Sequence, residues 1–144
     1  MDFITNFISV LHLPTSWWKK LVLLSLSAFF INVGIDHFVN PDFYISIMPP
    51  NFPLHSEAVY ISGFFELLGG ICVLIPRLRR IAGWGLVALL IAVYPVNIYM
   101  AITPENFPDT PVALLYFRLP LQFIFFYWAY SVTRPTYNPT DQKT

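Results

Sequence analysis

The stretch from Val59 to Pro76, VYISGFFELLGGICVLIP, decides how this chain is interpreted. It is long and apolar enough to cross a bilayer, since a spanning helix needs about 20 mostly apolar residues. Glu66 lies near its middle. A carboxylate at that depth is costly, and such residues usually face the protein interior and have a partner. The sequence therefore predicts a membrane helix that carries a buried acidic group.

The composition of the whole chain agrees with a membrane protein. Of its 144 residues, 56% are hydrophobic and only 11% are charged, whereas soluble domains carry about 25% charged residues. Lys plus Arg equals Asp plus Glu, at 8 each, so no net positive charge favours nucleic acid as a partner. Cys72 is the only cysteine and cannot form an intrachain disulfide. We expect one domain whose main partner is the lipid bilayer.

Hydropathy divides the chain into an all-α bundle of four transmembrane helices. The N-terminal segment covers residues 1–16, and within it we expect a short amphipathic helix on the membrane surface in residues 1–13, because its apolar residues recur at helical spacing. The transmembrane domain covers 17–132, and a polar tail covers 133–144. The connection before the second span is rich in proline and is expected to hold a short interfacial segment, and PRLRR at 76–80 is expected to be a tight basic turn. The four predicted spans are 21–37, 58–75, 81–102 and 112–132.

The positions of the cations orient this bundle. Seven of the eight Lys and Arg residues precede the first span, lie between the second and third, or follow the fourth. In a four-span protein these three segments share one side of the membrane. The positive-inside rule therefore predicts that both termini are cytoplasmic. The eighth cation, Arg118, lies inside the fourth span and needs a separate explanation.

Polar residues within the spans fall in the half of the bundle away from the basic side. Because a helix rises about 1.5 Å per residue, their positions along the chain give their depth. We hypothesise that Glu66 and Arg118 form a buried ion pair and that two amides satisfy its remaining groups; Asp36 is a competing partner for Arg118. The candidate ligand-binding residues are Asn32, Asp36, His37, Glu66, Asn97, Arg118 and Gln122.

Two readings of this polar cluster stay open. Polar groups between membrane helices often only hold the bundle together. Alternatively, the cluster lines an outward-facing pocket that binds a polar ligand head or exchanges a proton. His37 and His55, with the neighbouring carboxylates Asp36 and Glu57, lack the spacing of a metal site, so we expect no metal. The sequence identifies no catalytic residue and leaves open whether the protein is an enzyme.

Four stretches, in their order along the chain, resemble a known family. They are HFVNPDFYISIMPP (37–50), SGFFELLGG (62–70), LIPRLRRIAGWGLVALLIAVYPVNIYMA (74–101) and FRLPLQ (117–122). Together they are similar to the DoxX-like family of small four-helix bacterial membrane proteins. The resemblance implies a bacterial inner-membrane location and recurrent polar positions at His37, Asn40, Pro41, Glu66, Pro95, Asn97, Arg118 and Gln122.

The same resemblance implies a link to redox chemistry. The family takes its name from a subunit of an archaeal membrane oxidoreductase that passes electrons from sulfur compounds to quinone. This chain has no haem-ligand spacing, flavin signature or paired cysteines, so such a role needs a redox protein partner or a bound quinone. We expect a protein that binds a quinone or another small amphipathic ligand within a redox-linked membrane complex. The alternatives are a non-enzymatic scaffold or assembly factor and a small transporter subunit, which would have to form a homo-oligomer.

Overall fold

The computed structural model describes residue 14 and residues 16–134 of the chain. In this part of the chain all regular structure is helical. The predicted surface helix in residues 1–13 and the polar tail from residue 135 onward lie outside the described residues. The helices are α1 (Trp17–Val39), α2 (Pro41–Ser46), α3 (His55–Cys72), α4 (Pro76–Ile102) and α5 (Val112–Ser131), with a 3-10 turn at Pro104–Asn106.

Each predicted span corresponds to one long helix, with shifted ends. The short segment predicted in the proline-rich connection is present as α2. The predicted turn at 76–80 is wrong, because α4 already begins at Pro76. Proline is favoured in the first helical turn, where its missing N–H costs nothing. The chain reverses just before it, and Arg79 folds back to donate hydrogen bonds to the carbonyls of Val73 (2.8 Å) and Leu74 (3.2 Å).

Three of the helices, α1, α4 and α5, are long and apolar enough to cross a membrane. The helix α3 is as long as a minimal span but less apolar, because it begins with His55, Ser56 and Glu57 and contains Glu66. Large apolar side chains cover the outside of the described bundle, including Ile81 and Tyr127, each 73% exposed. Soluble monomers rarely expose large continuous apolar surfaces. The chain is therefore a membrane protein.

Close backbone contact joins α1 to α3. A Cβ atom added to Gly34 would lie 2.7 Å from the backbone N of Leu67 and 2.9 Å from the carbonyl O of Gly63. Two turns earlier on α1, the Ser27 hydroxyl donates a 2.6 Å hydrogen bond to the carbonyl of Gly70. Small residues at such positions let membrane helices approach closely, and packing and hydrogen bonds then hold them together. The two helices form a tight antiparallel pair.

The second pair is α4 and α5, and the two pairs meet in an apolar core at one end of the bundle. This core is built around Leu23, Leu26, Phe30, Val73, Leu86, Leu90 and Ala129. Trp128 of α5 joins it and donates a hydrogen bond to the carbonyl of Val22 in α1 (3.0 Å). The core fills the end of the bundle that carries Lys19, Lys20 and the 77–80 arginines. The opposite end is not filled in this way.

Candidate functional site

A cavity of about 660 Å³ occupies the end of the bundle opposite the apolar core. Its walls come from the second halves of α1 and α4, the first two thirds of α3, the middle of α5, and the segment from α2 to Phe52. Pockets for small molecules have volumes of about 300–1,000 Å³, are mainly apolar and carry a few polar groups. The cavity has this character, with Phe29, Phe43, Phe52 and Phe125 among its apolar lining residues.

Five of the seven predicted site residues line this cavity. They are His37, Glu66, Asn97, Arg118 and Gln122, and they come from four different helices. Asp36 lies behind the wall, where it is joined to the lining residue Tyr44 by a hydrogen bond. Asn32 is exposed and is not among the lining residues, so its inclusion in the cluster was wrong. Position along each helix brought the five lining residues to one end of the bundle. The sequence did not show which side of α1 faces inward.

The predicted ion pair between Glu66 and Arg118 is also wrong. Among the described residues, the ion-pair contact of Glu66 is with His37, whose Nδ1 lies 3.1 Å from Glu66 Oε2. Both residues are 6% exposed. His37 approaches so closely because it packs against Gly63, where an added Cβ would collide with the His37 Cβ. Glu66 lies one turn further along the same face of α3.

The hydrogen-bond geometry fixes the tautomer of His37. Its Nδ1 lies 2.9 Å from the carbonyl O of Val33, and a carbonyl can only accept, so Nδ1 must carry a proton. That proton points at Val33, so the short Nδ1–Oε2 distance does not give Glu66 a well-directed hydrogen bond. Glu66 Oε2 accordingly has no hydrogen-bond partner in the described structure, and neither has the buried hydroxyl of Ser62 one turn earlier. Unsatisfied buried polar atoms are rare in proteins and need an explanation.

Tyr44 of α2, itself bonded to Asp36, holds His37 in place. The His37 ring stacks on Tyr44, with 3.6 Å between ring centroids. The Tyr44 hydroxyl donates a 2.8 Å hydrogen bond to Asp36 Oδ2, and Asn40 donates to Oδ1 of the same carboxylate. Burial, and then the hydrogen bond to Asp36, raise the pKa of Tyr44 above its usual value. Tyr44 therefore stays neutral, and it fixes the imidazole by stacking rather than by a charge.

Arg118 faces the cavity without a carboxylate partner. Its Nη1 lies 3.1 Å from the thioether sulfur of Met100, and no Asp or Glu of the described chain is within ion-pair distance. A thioether is a weak acceptor, whereas a guanidinium carries five donors. Most of the hydrogen-bonding capacity of Arg118 is therefore unused by the residues that the structure describes.

The two amides, Asn97 and Gln122, bond to each other and to the backbone. Asn97 donates to Gln122 Oε1 (3.1 Å), and Gln122 Nε2 donates to the carbonyl of Leu90 (2.9 Å). This chain of hydrogen bonds ties α4 to α5 below the cavity. These hydrogen bonds do not involve Glu66 or Arg118, which the amides were predicted to support.

The sequence reasoning missed Tyr44 and Ser62. Tyr44 stands eight residues beyond its partner Asp36, on a separate helix, and no periodicity connects them. Ser62 precedes Glu66 by one helical turn and so shares its face, which is a signal that could have been used. No group of three or more metal-binding side chains is present in the described residues.

Comparison with known proteins assigns the chain to a family but gives no activity. Residues 26–133 match the family described as a domain of unknown function, DUF8561. The match covers α1 from Leu26 onward and the whole of α3, α4 and α5, the long helices that form the cavity. No curated protein and no solved structure matches the chain.

Proposed function

Because the chain belongs to the DUF8561 family, a domain of unknown function, we propose a function from the cavity itself: the protein binds a small amphipathic molecule within the membrane. One observation carries this proposal. Glu66 lines the cavity, is 6% exposed and has a carboxyl oxygen with no hydrogen-bond partner in the described residues. If this carboxyl group served only to stabilise the fold, other residues of the protein would be expected to satisfy its hydrogen bonds.

The membrane arrangement that supports this function is a four-span bundle. The helix α3 packs between α1 and α4, and its outward side chains are apolar, as in Ile61, Phe64 and Phe65, each more than half exposed. Polar groups inside and apolar groups outside are what a lipid-facing helix requires. With α3 as a span, the positive-inside rule places both termini in the cytoplasm and opens the cavity toward the outer half of the membrane.

The apolar core argues against transport as the function of this chain. A transport path must reach both sides of the membrane, but the end near Lys19 and Lys20 is filled by Leu23, Leu26 and the other core residues. The Asn97–Gln122–Leu90 link is the part of the cluster that a pure scaffold would need. A scaffold does not account for Glu66 Oε2, which has no hydrogen-bond partner among the described residues, or for Arg118, whose described hydrogen bond is only to the sulfur of Met100. The DoxX-like resemblance makes a quinone in a redox-linked bacterial inner-membrane complex one candidate ligand.

The test is native mass spectrometry of the protein extracted from its own membrane. We expect a small molecule to remain bound to the parent protein and to be lost from both Glu66→Gln and Arg118→Met. Glu57→Gln and Arg80→Met are matched controls, since both residues are exposed, and they should retain it. Far-UV circular dichroism checks that each variant is folded. A well-folded parent with no bound molecule, or equal retention in all variants, would contradict a ligand-binding function.

A further inference from the structure

The charges that face the cavity do not cancel, and from this we propose that its ligand is an amphipathic anion whose carboxylate or phosphate head is bound by Arg118. The inference rests on the proposed function and adds the class of ligand. Apart from tyrosine, the described lining residues include three ionisable side chains, namely His37, Glu66 and Arg118. Their arrangement decides the net charge that a ligand meets.

The pair formed by Glu66 and His37 carries no net charge. A carboxylate buried with an unsatisfied oxygen is tolerated as the neutral acid, or beside a protonated imidazole, but not as a bare anion. With Nδ1 of His37 3.1 Å from Oε2, either state of the pair sums to zero. Asp36 does not alter this balance, because it lies behind the wall and is engaged by Asn40 and Tyr44.

The described cavity lining therefore has a net positive charge, which comes from Arg118. Its described protein contact is the Met100 sulfur, which carries no charge to balance it. A cation in surroundings of low polarity is strongly stabilised by a counter-ion. A guanidinium matches the two oxygens of a carboxylate or phosphate with two parallel hydrogen bonds. The wall that carries Arg118 thus suits an anionic head group.

The rest of the cavity fits the apolar body of such a molecule. Phe29, Phe43, Phe52 and Phe125 line it, and a partner made only of charged and polar atoms would leave these rings facing water. A free carboxylate or phosphate amphiphile and an anionic bilayer lipid share this chemistry. The experiment below distinguishes them.

The test compares anionic and neutral amphiphiles of matched length. The purified full-length protein, in a neutral detergent and stripped of bound molecules, is titrated with dodecanoate, dodecyl phosphate, dodecanol and a decyl-substituted benzoquinone, and one-to-one adducts are counted by native mass spectrometry. We expect an anionic compound to bind at least tenfold more tightly than either neutral one, since hydrogen bonds to charged groups contribute about one to two powers of ten in affinity. Phosphatidylglycerol is tested in parallel, and its binding in place of the single-chain anions would assign the site to a bilayer lipid.

Variants test whether Arg118 causes the preference for anionic amphiphiles. Arg118→Met should abolish the preference for the anion, and Arg80→Met, at the opposite end of the bundle, should keep it. If Arg118→Met does not fold, Arg118→Lys replaces it: the charge remains but the paired hydrogen bonds are lost, so the affinity for the anion should fall several-fold while dodecanol binding is unchanged.

Two results would overturn the inference, and they differ in what they say about the function. Equal binding of neutral and anionic amphiphiles, unaffected at Arg118, would reject the anion and leave the cavity as a binding site. Absence of binding by every compound would reject both the anion and the proposed function.

Discussion

The contact between α1 and α3 predicts opposite effects for one substitution at two glycines. An alanine at Gly34 would place its Cβ 2.7 Å from the backbone N of Leu67, and ordinary contact begins at 3.4 Å, so the helices must separate by about 0.7 Å. The colliding atoms belong to the backbone and cannot rotate away. Overpacking of this kind costs about 1–3 kcal/mol, which exceeds the gain of about 1 kcal/mol from replacing glycine in a helix. We expect Gly34→Ala to lower the free energy of unfolding by up to about 2 kcal/mol.

Gly85 on α4 provides the matched control. Nothing lies within 4 Å of a Cβ added there, so Gly85→Ala should keep the helix-forming gain and raise the free energy of unfolding by up to about 1 kcal/mol. Both variants are unfolded with sodium dodecyl sulfate in mixed micelles and followed by far-UV circular dichroism. Equal stabilities for Gly34→Ala and Gly85→Ala would refute the close approach of α1 and α3.

The same unfolding assay tests two further features of the fold. Ser27→Ala removes the buried hydrogen bond to the Gly70 carbonyl and should lower the free energy of unfolding by about 0.5–1.5 kcal/mol, whereas Ser25→Ala should have little effect because Ser25 is exposed and bonds to its own helix. Leu54 has a left-handed backbone (φ 56°, ψ 52°) and is 69% exposed, so Leu54→Gly should raise the free energy of unfolding by about 0.5–1 kcal/mol through relief of strain. Leu54→Ala keeps the strained Cβ and should give no such gain.

The control variants also show which results would contradict the predictions for Ser27 and Leu54. If Ser25→Ala and Ser27→Ala are equally destabilised, the bond between α1 and α3 contributes nothing beyond the loss of a hydroxyl. If Leu54→Ala is as stable as Leu54→Gly, the left-handed conformation before α3 stores no strain.

The candidate site shows what sequence reasoning can reach at a membrane cluster. Position along a helix gives depth directly, so the chain alone was enough to bring His37, Glu66, Asn97, Arg118 and Gln122 to one end of the bundle, where the cavity lies. Rotation about the helix axis is weakly encoded when a helix is apolar all round, because hydrophobic residues then mark no single face. For that reason the exposed Asn32 was placed in the cluster.

The sequence by itself determined that this is a helical membrane protein, because hydropathy and the cost of buried charge act on each segment separately. It also located the four long helices and the polar half of the bundle. Only the tertiary structure decided which groups meet. Gly34 and Gly63 let α1 approach α3 closely enough for His37 to contact Glu66. Arg118 therefore lines the cavity without pairing with Glu66. Such pairing depends on the distance and rotation between helices far apart in sequence, which no local pattern specifies.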